Sequence, residues 1–335
     1  MSDVTPNSVS AEAPRAGTFY GRLRAEFPSQ IIVDTTEVCN LECVHCPHPD
    51  FKKSAHYEGR FLDPELNKKL VDEVATHGKG ITEYLRYTGN GEPFAHKKIF
   101  EILSYSAKHS NTSVCLTTNG VLLDDKRIDA LLECNLHLVD ISIDAFTAET
   151  YAKVRVKGNL DVTRRNVERL IRRTEEVKSG MKVVVSYIDQ PLNHHETADF
   201  EAYWKDFGAS YVVVRRLHSA AGQNTDIKVQ IGKRVENQDR RPCLYPWERM
   251  VLSPAGTLGF CPEDWVHGSE VADYRTTTIK ETWSGEFYSK LREAHCSNNF
   301  SNHGFCGQCP DWSLTRWPDE GRSYSDMVKD LKKTA

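Results

Sequence analysis

The amino-acid sequence predicts an α/β fold built on a parallel sheet, with a small C-terminal appendage. From about Ile31 to Leu217, strand-like runs alternate with helical ones through six β-α units. That order lays successive strands in parallel, with helices covering the sheet. The polar residues able to do chemistry collect where those strands end. Doubly wound sheets and barrels both bind their ligands there, so either architecture fits. After Leu217 the alternation stops, and a hairpin followed by a helix takes over.

The β-branched run IIVDTT (31–36) is the first strand and leads into a cysteine-bearing loop. PELNKKLVDEVATH (64–77) has helical periodicity, with Asp63 placed to cap it and Pro64 at its first position, where a missing N–H costs nothing. TEYLRYTG (82–89) reads as a strand, HKKIFEILSYSAKH (96–109) as a helix, SVCLTTNG (113–120) as a strand and LLDDKRIDALLEC (122–134) as its helix. LVDISIDA (138–145) is the fourth strand, and helical patterns follow at 147–155 and 160–178. KVVVSYI (182–188), a helix near 195–207 and YVVVRRL (211–217) complete the series. The stretch 218–242 is polar and reads as a loop. ERMVLSPAGTLGFC (248–261) reads as a hairpin turning at Pro254-Ala255-Gly256, and ETWSGEFYSKLREAH (281–295) as a helix. Too small to bury a core of their own, these are expected to pack on the larger unit. The expected division is a disordered leader (1–29), a core domain (30–220), a linker (221–242) and a C-terminal domain (243–335).

The chain has 335 residues, ample for a full core, and its 39% hydrophobic and 27% charged residues are ordinary globular composition. The net charge is −4, and Arg215-Arg216 and Arg240-Arg241 are isolated pairs, which argues against nucleic-acid binding. No apolar run is long enough for a transmembrane helix, and MSDVTPNSVSAEAPRAG lacks an apolar signal core, so a cytoplasmic protein off the membrane is expected. Ten cysteines in that compartment point to metal rather than to disulfides.

CNLECVHC places Cys39, Cys43 and Cys46 in a C-x3-C-x2-C pattern after the first strand. Thiolates suit a soft metal. With His45 or His48 as fourth ligand the set satisfies structural zinc. Without one, it fits a four-iron, four-sulfur cluster with one iron left open. GNGEP follows the second strand and SIDA ends the fourth. Taken together, residues 31–217 resemble the radical S-adenosylmethionine (SAM) superfamily. The resemblance implies a partial (β/α)6 TIM-like barrel and an open iron that chelates SAM. It further implies a 5′-deoxyadenosyl radical that takes a hydrogen atom from the substrate. Gly89, Asn90, Gly91 and Glu92 would then receive the methionine amino group, with Asn90 standing where the family has glycine. By the same resemblance His45 lies near adenine, and Asn119, Ser142 and Asp144 face the ribose or carboxylate. The plainer readings are an exposed loop acid for Glu92 and turn or strand-end polar residues for the others.

Cys243, Cys261, Cys306 and Cys309 form a second set, in the order cysteine, hairpin, G-x4-C, helix, C-x2-C. A zinc ribbon is its plain reading. Residues 240–315 resemble the twitch domain, the shortened SPASM domain of radical SAM enzymes, which implies one auxiliary four-iron cluster that moves electrons. The implied activity is oxidation of a hydroxyl on a sugar or aminocyclitol-like molecule. Arg215, Arg216 and Tyr187 are the candidates near the departing proton, and six tryptophans are candidates for stacking on a sugar. Cys296, the spare thiol of the appendage, suggests an alternative: an epimerase or peptide-modifying maturase in which it returns a hydrogen atom. Cys115 and Cys134 read as core. A carbohydrate-like small molecule is favoured over a peptide, because the stretch before the first strand is too short for a peptide-recognition domain. Flavodoxin or ferredoxin is the expected electron donor. A non-catalytic zinc-binding protein is the reading from another class.

Overall fold

The structure, a computed structural model, describes residues 19–24, 26–317 and 323–333. Most of the expected leader, residues 1–18, lies outside this range. Within it, Phe19–Arg22 forms a helical turn, and Arg22 Nη1 pairs with Asp326 at 2.8 Å.

Six β-α units follow as expected. The strands are β1 (Gln30–Val33), β2 (Tyr84–Tyr87), β3 (Ser113–Thr118), β4 (Leu138–Ser142), β5 (Lys182–Asp189) and β6 (Tyr211–Arg216). The helices are α1 (Pro64–His77), α2 (Ile99–His109), α3 (Asp125–Glu133), α4 (Ala148–Val154), α5 (Leu160–Glu176) and α6 (Thr197–Phe207). Local chemistry sets their ends. Asp63 accepts from Glu65 N at the start of α1, Asn159 accepts from Val162 N at the start of α5, and Gly208, with φ 103°, ends α6.

The hairpin is β7 (Arg249–Leu252) and β8 (Thr257–Gly259), followed by β9 (Glu270–Asp273). β7 pairs in parallel with β1, so the appendage extends the sheet itself. The order is β6-β5-β4-β3-β2-β1-β7-β8-β9, a nine-stranded sheet that does not close. The doubly wound order, with its switch point, is absent from this run of neighbours.

Three stretches differ from expectation. The supposed linker contains α7 (Thr225–Val235), capped by Asn224, with Ile227 and Ile231 buried one turn apart. Its polar faces hide that two-residue apolar stripe in the sequence. The helix expected at 281–295 is two, α8 (Ile279–Ser284) and α9 (Glu286–Ser297), because the chain is extended at Gly285. The last helix, α10 (Tyr324–Lys333), lies beyond every expected element.

The outer face of the sheet packs on the helices through residues such as Val33, Leu85, Leu116, Val139 and Val185. The inner face carries Ile32, Tyr84, Cys115, Leu138 and Val184, capped by Met327, Val328 and Leu331 of α10. Further along the strands this face turns polar: register places Thr117 beside Asp140, Ser142 beside Ser186, and Arg215 beside Ile188. Trp204 and Trp283 are core residues and unavailable for sugar stacking. Among the described residues no helix is long and apolar enough to cross a membrane.

Because Leu331 is a buried plug against the inner face, Leu331→Ala is expected to cost about 2–5 kcal/mol, measured as a lower urea midpoint by circular dichroism.

Candidate active site

Cys39, Cys43 and Cys46 are free thiols in the loop after β1. That loop is gripped by the GNGEP turn. Glu92 N donates to Val38 O at 2.9 Å. A Cβ on Gly91 would lie 2.1 Å from Thr36 O, so only glycine permits the approach. The Glu92 carboxylate is buried, which overturns the exposed-acid reading. It accepts from Thr118 Oγ1 at 2.6 Å, Asn119 N at 2.8 Å and Phe94 N at 3.2 Å. Burial raises its pKa, and these donors work against the rise. One residue, through its backbone N–H and its carboxylate, thus ties together the loops after β1, β2 and β3. Asn119 Nδ2 extends the tie to Asn40 Oδ1 at 2.8 Å.

Asp34, just past β1, grips the same turn from below. Its Oδ2 accepts from Asn90 N at 3.0 Å and its Oδ1 from Thr36 N at 3.4 Å. Gly89 sits so close that a Cβ would meet Asp34 Cγ at 2.2 Å. Burial lifts the Asp34 pKa to about 7 against these backbone donors.

On the other side of the cysteine loop, Asp144 is fully buried with a left-handed φ of 62°. Its Oδ1 accepts from Ile188 N at 2.7 Å and its Oδ2 pairs with Arg155 Nη2 at 2.5 Å. Those contacts hold a conformation that is uncommon for a residue with a side chain. Arg155 Nη1 donates to Cys43 Sγ at 3.4 Å. Sequence reasoning missed Arg155, which follows α4 with no motif around it. His45 stands 3.6 Å from Asp144 and 3.3 Å from Gln190, and burial lowers its pKa to about 4, so it is neutral. His48 bonds Glu37 O at 2.9 Å inside a ring of Phe51, Tyr57 and Trp265. It belongs to the packing around Cys46.

The polar inner face is a charge network. Asp140, fully buried, pairs with Arg86 Nη2 at 3.1 Å and with Arg215, and Ser186 Oγ donates to it at 2.7 Å. Ser142 Oγ is 3.4 Å from Ser186 Oγ. Both guanidinium groups lie over the Tyr324 ring, at 4.1 and 5.5 Å from its centre. Arg86 and Asp140 were not anticipated, although a charge inside an otherwise apolar strand is the signal for them. Tyr187 has the opposite parity to Ser186. It points outward, packs on Phe200 with ring centres 4.7 Å apart, and donates to Asn193 O, so it is removed from the site. Arg216 is exposed. Cys296 is on the exposed side of α9, whereas Tyr288, Leu291 and Ala294 face inward, so its placement gives no support to a hydrogen-donor role.

Cys243, Cys261, Cys306 and Cys309, all free, line a single cavity with Arg240, His295 and Asp311. Burial pushes the Cys243 and Cys306 thiols up to about 12. Four thiols on one cavity are the donor set of a four-ligand metal or cluster site. A second cavity is lined by Asp34, Gly89 and Asn90 together with Cys261 and Asp264. It joins the GNGEP turn to the four-thiol set, and Asn90 Nδ2 donates across it to Asp264 O at 3.1 Å.

Residues 33–195 match the radical SAM superfamily model, and residues 243–310 match that of the SPASM iron-sulfur cluster-binding domain. The chain is 33% identical over 140 residues to the GTP 3′,8-cyclase of Chlorobaculum tepidum, covering 42% of this chain and 40% of that protein. It is 27% identical over 215 residues to the mycofactocin maturase MftC of Mycolicibacterium smegmatis, covering 64% and 50%. The chain therefore spans half the length, or less, of these relatives. Among solved structures, BtrN in complex with AdoMet and 2-DOIA aligns with TM-score 0.59 and 16% identity over 84% of this chain and 92% of that one. Streptococcus suis SuiB bound to precursor peptide SuiA aligns with TM-score 0.62 and 12% identity over 91% and 73%. These alignments establish the shared fold.

Gly91→Ala should push the cysteine loop off the GNGEP turn while leaving the four-thiol cavity untouched. Iron per chain is expected to fall to about half of the wild-type content, measured by colorimetric iron analysis after anaerobic reconstitution. Asp34 supplies a pH test. Its folded pKa of about 7 exceeds the ordinary carboxylate value, so its contribution to stability is complete at acid pH and is lost as pH rises to about 7. Denaturation midpoints of Asp34→Asn are expected to lack that decline.

Proposed function

Because the chain belongs to the radical SAM superfamily and carries a SPASM domain, we propose that it oxidises a hydroxyl-bearing carbon of a small polar substrate to a carbonyl. Its cofactors are SAM, a SAM-binding four-iron cluster and an auxiliary four-iron cluster, which replaces the zinc reading. The observation that carries the proposal is the cavity touching Gly89 and Asn90 on one side and Cys261 on the other. A substrate there would border both centres. When bound, the cofactors supply a 5′-deoxyadenosyl radical for hydrogen abstraction and an acceptor for the second electron.

The chain's own residues have distinct tasks. Cys39, Cys43 and Cys46 hold the first cluster, and Cys243, Cys261, Cys306 and Cys309 hold the second. The Gly89-Asn90-Gly91 backbone, fixed by Asp34 and Glu92, receives the amino group of SAM. His45, neutral and near the adenine, Asn119 and Ser142 frame the rest, and Asp144 acts through Arg155. The hydroxyl proton needs an acceptor within hydrogen-bond reach. A guanidinium has donors and no acceptor to offer; Arg215 is committed to Asp140, and Tyr187 points away. Asp34 lines the cavity, and its pKa of about 7 suits a proton acceptor near neutrality. Asp34 therefore takes the role expected of Arg215 or Tyr187. Arg215, Asp140 and the two serines offer hydroxyl-binding contacts from the inner face. Flavodoxin or ferredoxin is the class of reductant that suits the first cluster.

A second reading, peptide modification, is supported by the 27% identity to MftC over 64% of this chain. One experiment separates the two. The reconstituted protein, with about eight irons, is given SAM, dithionite and a panel of polyols, aminocyclitols and peptides. The proposal predicts 5′-deoxyadenosine above background and a carbonyl product only with the polyol group. Stimulation by peptides alone rejects it in favour of the second reading, and a colourless, zinc-loaded protein rejects both.

A further inference from the structure

The four-thiol cavity contains a cation that is paired with no carboxylate among the described residues. Arg240 Nη1 donates to Gly307 O at 2.9 Å and Nη2 to Cys306 O at 2.6 Å. Its guanidinium lies 4.2 Å from the centre of the Phe300 ring. It therefore touches the backbone of the C-x2-C turn and lines the same cavity as all four sulfurs. Two acids share that cavity, and both are engaged elsewhere. Asp311 accepts from Ser219 N, Ser219 Oγ and Ala221 N, each at 2.9 Å, and Glu263 faces His218 Nδ1 at 3.3 Å. His295 receives Cys243 N at 3.3 Å on its Nδ1. Among the described residues no carboxylate pairs with Arg240.

Resting on the proposed function above, we infer that Arg240 is a positioning residue that raises the reduction potential of the auxiliary centre. A fixed positive charge in a low-dielectric cavity favours the more negative, reduced state of whatever four thiolates hold there. Its two N–H bonds keep that charge at the Cys306 end, and the Phe300 face covers it from solvent. The effect is an equilibrium one: the centre accepts a single electron more readily, and no bond to Arg240 forms or breaks.

The test is an EPR-monitored potentiometric titration of the full chain with Cys39, Cys43 and Cys46 changed to alanine, so that only the auxiliary centre responds. Arg240→Met should keep four irons per chain but titrate at a lower potential. Arg240→Lys, which retains the charge, should recover most of the loss. An unchanged midpoint in iron-replete Arg240→Met overturns the inference. So does an equal drop in Arg240→Lys, which assigns the effect to geometry alone. If Arg240→Met fails to load iron, Arg240→Gln, which still has donors for the turn, is titrated under the same criteria. Failure of both to load marks Arg240 as merely structural and also overturns the inference. A parent chain that binds no iron in the four-thiol site defeats the proposed function instead.

Discussion

β1 has two neighbours, and the arrangement of the whole site depends on it. The strand is four residues long, every one of them buried, with a parallel ladder to β2 on one side and to β7 on the other. Gln30 shows how tightly the three strands are joined. Its Oε1 receives both Tyr84 Oη of β2 at 2.6 Å and Arg249 Nε of β7 at 2.8 Å. A strand hydrogen-bonded on both edges cannot slip by one residue without turning its buried side chains to the wrong face. The three-thiol loop that leaves β1 is therefore held in one register against both the barrel and the appendage. This explains how a hairpin too small to have its own core can hold Cys261, two residues beyond β8, in a fixed place.

Around that frame, charge is buried only where it is answered. Asp144 is matched by Arg155, Asp140 by Arg86 and Arg215, and Glu92 by three hydrogen-bond donors. Ion pairs of this kind are weak evidence for stability, because desolvation offsets much of the attraction. Their value is positional. Each one links different strands or loops, and removing one member leaves the other charged and unpaired. Asp34 differs. Among the described residues its hydrogen-bond partners are backbone N–H groups, and burial still holds its pKa up at about 7 against them. A carboxyl left so near neutrality is suited to exchanging a proton with a ligand.

The sequence carried the strand order, the cysteine sets and the GNGEP turn, because each has a local signature: period, spacing or a glycine that nothing else can replace. Side-chain direction was less legible. Ser186 and Tyr187 are neighbours at the end of β5, yet the pleat sends one inward and the other into the helices. Once Asp140 is known to face inward, the ladder assigns Ser142, Ser186 and Arg215 to the same side. That inference needs the register, which no single strand contains. Arg155 and Arg240 were invisible for another reason. Their roles come from contacts made far along the chain, to Cys43 and to Cys306, and surface arginines in the sequence look the same. α7 and α10 were missed because charge dominates their composition and their apolar stripes are narrow.

These two arginines also give the site a direction. Each sits beside one thiol set, but Arg155 is balanced by Asp144 at 2.5 Å, whereas Arg240 meets only carbonyl oxygens and a ring. Each arginine thus brings a positive charge to its thiol set, and only the one at the three-thiol loop has a carboxylate paired with it. On the proposed function, Arg240 then favours the arrival of an electron at the Cys306 end. The cavity that touches the GNGEP turn and Cys261 also reaches Asp34, so on the proposed function the proton acceptor and one ligand of the electron acceptor lie on one space. Separating the two particles onto different groups is what a two-electron oxidation requires once the first hydrogen has gone. An epimerisation would instead require a thiol facing that space, and Cys296 is on the exposed side of its helix.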